Sequence, residues 1–204
     1  MRDKLVKILI VTKYRFIGDT LTAIPTFRAV KERWPNSEVS LLSGARACEL
    51  MQNCPHIDRY FEFDPYRTTD KGIRQYLKLV AALRRQKFDV ALVLNRSFHS
   101  VLTATLGGAK KRIGWSGFEG RDFMLSVACK YDHDKPEIEC FLDVFRAAAG
   151  EIECNPTLEL WLDQQEVAEA AEHLPQGDFL LGIQPGATHE YKQWPRASFV
   201  SMCE

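Results

Sequence analysis

The 204-residue sequence has no run approaching the roughly 20 apolar residues that span a bilayer, no C-x-x-C pair, no G-x-G-x-x-G or Walker-type glycine loop, and no excess of either charge. Each absence removes a class of function. Lys plus Arg and Asp plus Glu both total 27, which argues against a general nucleic-acid binder, whose affinity comes mainly from surplus positive charge. The six cysteines, Cys48, Cys54, Cys129, Cys140, Cys154 and Cys203, are scattered without a histidine at zinc spacing. Neither a metal site nor a disulfide framework is expected, and a reduced cytoplasmic setting fits best. The N-terminus has only a short apolar run and no small-residue cleavage site, so it reads as a strand and not as a signal peptide.

What is present is alternation. Lys7 to Thr12, Glu38 to Leu42, Arg59 to Phe63, Phe88 to Leu94, Arg112 to Trp115 and Phe179 to Gln184 read as strands separated by helical patterns. The fold class expected is α/β, a Rossmann-like doubly wound parallel sheet with helices on both faces. Ala23, Phe27, Val30 and Trp34 make one helical stripe with Pro25 near its start, and Ile73, Tyr76, Leu77, Val80 and Leu83 make a second. Glu137 to Ala149 reads as a helix ended by Gly150. Asp163 with Glu166 forms a capping box for a helix running to Leu174. Pro175, Gln176, Gly177 and Asp178 then interrupt the pattern. The boundary is placed there, with residues 1–176 a first domain that includes the linker helix, and 177–204 the beginning of a second.

Ligands of open parallel sheets sit beyond the carboxyl ends of the strands, which directs attention to three loops. After the first strand, Gly18 and Asp19 pair a residue that permits close backbone approach with a carboxylate. Asp19 has two readings, a helix N-cap or a general base toward a sugar hydroxyl. After the fourth strand, Asn95 and Ser97 could bind sugar hydroxyls, His99 reads as a helix-start or packing residue, and Lys110, Lys111, Arg112 and Arg121 lie nearby in sequence, as phosphate contacts or merely as soluble loop residues. In the second opening, Gly186 and Ala187 would let the backbone near a phosphate, Thr188 offers a hydroxyl, and Lys192 is either a charge for a diphosphate or an ordinary surface lysine.

Together these segments resemble glycosyltransferase family 9, the heptosyltransferases. Ile8 to Leu21 resembles the family's opening strand and Gly-Asp loop, Val93 to Ser100 its Asn/Ser segment, and Lys111 to Trp115 the following Arg-x-Gly-aromatic strand. The most specific match is Pro185-Gly186-Ala187 followed by Lys192-Gln193-Trp194-Pro195, similar to the family's Pro-Gly-Ala and Lys-x-Trp-Pro signature. The resemblance implies the N-terminal half of a two-domain GT-B enzyme that stops at the start of its second domain and is inactive by itself. It implies a metal-free inverting transfer of heptose from ADP-heptose to the inner core of lipopolysaccharide, in the cytoplasm with peripheral contact at the inner face of the inner membrane. By position Asp19 is then the catalytic base, with Gly18, Asn95 and Ser97 toward the acceptor and Gly186, Thr188 and Lys192 toward the donor phosphates; Lys192 also aids departure of the diphosphate. A competing reading is a non-catalytic binding module for acidic saccharides.

Overall fold

A computed structural model describes residues 5–64, 72–175, 177, 179–187 and 189–203. The chain divides into two compact units, Met1–Leu162 and Asp163–Glu204. In the first, strands β1 (Lys7–Val11), β2 (Glu38–Ser43), β3 (Arg59–Glu62), β4 (Val90–Val93), β5 (Lys111–Trp115) and β6 (Val127–Cys129) form one sheet in the order β3-β2-β1-β4-β5-β6. Every pairing is parallel. Five of the six strands fall where the apolar runs predict them. The sixth is three residues long, half-exposed and at the sheet edge, too short to produce a readable alternation.

Because successive side chains of a strand point to opposite faces, β1 alone supplies both cores. Ile8 and Ile10 pack with Phe27 and Val30 of α2 (Ile24–Arg33) and with Phe141 and Phe145 of α6 (Glu137–Ala149). Leu9 and Val11 pack on the other face with Leu79 and Leu83 of α4 (Ile73–Gln86) and with Val101 and Ala104 of α5 (Phe98–Leu106). The sheet is therefore doubly wound, as expected. Pro25 lies in the first turn of α2, where its missing N–H is harmless. Two refinements follow. A separate turn, α1 (Ile17–Thr22), precedes α2 and is broken from it at Ala23, and a short α3 (Ala45–Leu50) follows β2. In α4 Val80 and Leu83 of the predicted stripe are buried and Tyr76 packs against the core, but Leu79 joins them while Ile73 and Leu77 stand 68% and 55% exposed.

Arg28 of α2, buried, donates to the Glu159 carboxylate and to the carbonyls of Asn155 and Thr157, which fastens the segment after α6 to α2 within the first unit. Gly150 ends α6 with a φ of 86°, a value that glycine adopts without steric penalty. The second unit holds α7 (Gln164–His173), α8 (Arg196–Cys203) and a 3₁₀ turn at Glu190–Lys192. Asp163 and Glu166 make both bonds of the predicted capping box, each at 2.8 Å. The strand expected over residues 179–184 is not formed. An apolar run becomes a strand only when a neighbour accepts its ladder hydrogen bonds, and the described residues of this unit contain no other strand.

Candidate functional site

The strand order places β1 between β2 and β4. The chain leaves β1 toward one edge and returns to build the other, so the loops after β1 and β4 diverge and open a crevice at the switch point. A cavity of about 280 Å³ lies there, lined by Lys13, Tyr14, Arg15 and Phe16 from the first loop and by Asn95, Ser97 and His99 from the second.

The first loop is anchored by hydroxyls. Thr12, fully buried, donates to Ser43 Oγ at 2.8 Å and lies 3.1 Å from the Thr20 hydroxyl, joining the ends of β1, β2 and α1. Gly44 then allows the backbone of the next loop to lie directly against Tyr14. Its φ of −76° is open to any residue, but a Cβ there would overlap the Tyr14 carbonyl oxygen. Glycine is required by close approach and not by conformation, and neither periodicity nor motif points to it.

Asp19 is the third residue of α1, whose N-cap is Phe16. The capping alternative is therefore not the one realised, although a carboxylate in the first turn still interacts favourably with the helix dipole. The Lys13 ammonium donates to Asp19 Oδ1 at 2.5 Å, with both side chains still partly exposed. Among the described residues it is the only group bonded to that carboxylate, which leaves Oδ2 for a ligand proton. Gly18 is exposed, and a Cβ on it would meet nothing within 4 Å. The protein itself does not need glycine there.

Asn95 and Ser97 both reach the cavity. Asn95 Oδ1 accepts from Ser97 N at 3.0 Å, and Ser97 Oγ caps α5 by accepting from His99 N at 3.2 Å. These bonds leave the Asn95 amide N–H groups and the Ser97 hydroxyl proton as donors. The wall behind them is aromatic. His99 lies parallel to Phe63 with centroids 6.0 Å apart, and Tyr14 meets Phe63 edge-on at 5.9 Å. Burial pushes Tyr14 up to about 12, the Ser100 and Thr103 hydroxyls offsetting part of the rise. Burial lowers His99 as well, so imidazole and phenol are both neutral near pH 7. His99 acts as packing, as its position at the helix start suggests.

The basic residues near this loop do not form a phosphate patch. Lys110 pairs with Asp89 at 2.7 Å. Arg112 donates to the carbonyls of Met124 and Ala109, each at 2.6 Å. Arg121 is fully buried and donates to the carbonyls of Asn95, Ser97 and Trp115. Arg112 and Arg121 thus satisfy backbone oxygens at the ends of strands and loops, whereas Lys110 and Lys111 are exposed, in keeping with the soluble-loop alternative.

The remaining predicted residues lie in the second unit. Thr188 is outside the described residues. Gly186 is exposed without a left-handed φ, and the Gln193 side chain bonds to the Ala187 carbonyl at 3.0 Å, closing the loop between them. Lys192 ends the 3₁₀ turn, exposed, with its ammonium 5.8 Å from the centre of the Tyr191 ring. Among the described residues no group of three His, Cys, Asp or Glu side chains could hold a metal ion, and no helix is long and apolar enough to cross a membrane.

The family model described as glycosyltransferase family 9 (heptosyltransferase) matches residues 76–204. The chain is 26% identical to lipopolysaccharide heptosyltransferase 2 of Salmonella typhimurium, an alignment covering 93% of this chain and 57% of that protein. It shares its fold with a family 9 glycosyltransferase from Veillonella parvula (TM-score 0.82, 17% identity, 98% of this chain and 60% of that one). The same holds for the E. coli ADP-heptose lipopolysaccharide heptosyltransferase II (TM-score 0.76, 22% identity, 97% and 60%). The chain thus spans somewhat more than half the length of these proteins.

Proposed function

Because the chain belongs to glycosyltransferase family 9, we propose that it forms the acceptor-binding part of an enzyme that moves heptose from ADP-heptose to the inner core of lipopolysaccharide. The observation that carries this reading is the aromatic-walled cavity at the β1/β4 switch point, with the Asn95 and Ser97 donors on one side and, on the other, Lys13, whose ammonium holds Asp19 just behind the wall. In this reading residues 1–176 bind the acceptor, and residues 177–204 open the donor domain. The enzyme works in the cytoplasm, with the lipid-linked acceptor reached at the inner face of the inner membrane.

The chemistry follows from the donors and acceptors on each side. Asp19 takes the proton of the acceptor hydroxyl as that oxygen forms a bond to the anomeric carbon. The bond from that carbon to the diphosphate oxygen breaks on the opposite face, which inverts the centre. The electron pair leaves with ADP, whose phosphates rest on the backbone beside Gly186, the Thr188 hydroxyl and the Lys192 ammonium. Charge neutralisation of the leaving group is assigned to these groups and not to a metal.

The intact protein, incubated with ADP-heptose and a phosphorylated inner-core oligosaccharide, is expected to add the mass of one heptose to the oligosaccharide. Lys192→Ala should raise the donor KM about tenfold or more, the worth of one charge-assisted contact, and leave the acceptor KM alone. Folded protein that adds no mass would sink the reading.

Gly18 supplies a second check. Alanine in place of a helical glycine is stabilising by roughly 0.5–1 kcal/mol where nothing obstructs it, and nothing does here. Gly18→Ala is therefore expected to melt at the same temperature or a few degrees higher while its acceptor KM rises, because the new methyl stands next to Asp19, where this reading brings the acceptor hydroxyl. Lower stability together with an unchanged KM would place the acceptor elsewhere.

A further inference from the structure

Arg121 is a fully buried guanidinium that, among the described residues, has no direct carboxylate partner. Burial opposes its charge, the nearby Glu119 and Asp122 carboxylates favour it, and its Nη groups are spent on three carbonyls. Two of these, Asn95 and Trp115, lie at or just beyond the carboxyl ends of the neighbouring strands β4 and β5; the third, Ser97, is the cap of α5. The loop that delivers Arg121 is tightly wound. Gly117, Glu119 and Gly120 have φ of 81°, 50° and 64°, and both Asp122 carboxylate oxygens accept from Gly117 N, at 3.1 and 3.0 Å. The same loop grips its neighbour a second time, since the Glu119 carboxylate accepts from Phe98 N at the first residue of α5. Phe118 lies beneath the guanidinium, 5.9 Å from ring centre to Cζ.

We propose that Arg121, assisted by Glu119, is a positioning residue that holds the Asn95–His99 segment in the geometry that presents Asn95 and Ser97 to the cavity. The guanidinium fork suits this task because its two Nη groups make three bonds in fixed directions, which a single ammonium cannot reproduce. A segment held at both its carbonyls and its N–H groups has little freedom to retreat from the ligand, and displacements of about 1 Å in a positioning element can lower rates on the order of 100-fold.

The test has two arms, of which only the kinetic one rests on the proposed function. In the intact protein, Arg121→Met keeps most of the side-chain volume and removes every donor. Amide exchange at Ser97, Phe98 and His99 is expected to accelerate at least about tenfold, and the acceptor KM to rise on the order of 10- to 100-fold with the donor KM unchanged. Arg121→Lys should fall between Met and the parent in both measurements, and it carries the test if the Met variant does not fold. Unchanged exchange at these three amides in a folded variant overturns the proposal, as does an equal rise of donor and acceptor KM. If the parent itself transfers no heptose, the functional reading has failed, and the exchange measurement still decides the role of Arg121.

Discussion

Asp19→Asn is expected to lower heptose turnover on the order of 10²- to 10⁴-fold, the usual worth of a placed general base. Asparagine keeps the size of the side chain and a carbonyl that Lys13 can still donate to, but it cannot take the acceptor proton. The melting temperature should barely move, because a partly exposed ion pair of this kind contributes only about 0–1 kcal/mol. Steady-state kinetics of the intact protein, paired with thermal melts, separate the two effects. A fall in kcat at nearly constant acceptor KM is the result expected of a group whose contribution comes in the transition state. Turnover within a factor of a few of the parent would move the base to another residue, and Asp19 would be left as the partner that orients Lys13.

That aspartate also marks how far the residues alone could be read. The strand ahead of it was legible because β1 is an apolar run between polar flanks, and the loop because carboxyl ends of parallel strands are where ligands gather. Its role in the helix was not, since one residue's shift in where α1 begins turns an N-cap into a first-turn side chain. Asn95 and Ser97 were legible as polar groups beyond β4, and the structure brings both to one cavity. Arg121 was legible only as a cation, because burial against carbonyls contributed from 24 and 26 residues away leaves no local pattern. The apolar run at 179–184 shows the converse: composition can propose a strand, but pairing partners are what make one.

Gly44→Ala is expected to produce the largest loss of stability of any glycine-to-alanine change among the described residues of the first unit. The added Cβ would collide with backbone, the Tyr14 carbonyl, and not with the tip of a side chain that could swing away. Relief requires the loop after β1 to move, and that loop is fixed by the buried Thr12, Ser43 and Thr20 hydroxyls. Overpacking of this sort destabilises by about 1–3 kcal/mol, and the rigid surroundings put Gly44 at the upper end. At about 3 kcal/mol the melting temperature of a chain this size should drop by roughly 6–12 °C. Because Tyr14 lines the cavity, acceptor binding should weaken in whatever fraction remains folded. A melting temperature within about 2 °C of the parent would mean that the two loops lie farther apart than the structure has them.

The all-parallel order of the sheet also bears on how the protein is made. β1 leaves the ribosome before the other five strands yet becomes an interior strand of the finished sheet, with β2 on one side and β4 on the other. One edge can be covered soon after β1 itself emerges, by β2. The other waits for residues about 80 positions later, which at 5–20 residues per second is an interval of roughly 4–16 s. Throughout it the nascent chain displays an apolar strand with one row of unpaired N–H and C=O groups, the kind of edge that recruits other chains. Yield in the cell is thereby tied to translation speed and to chaperone supply.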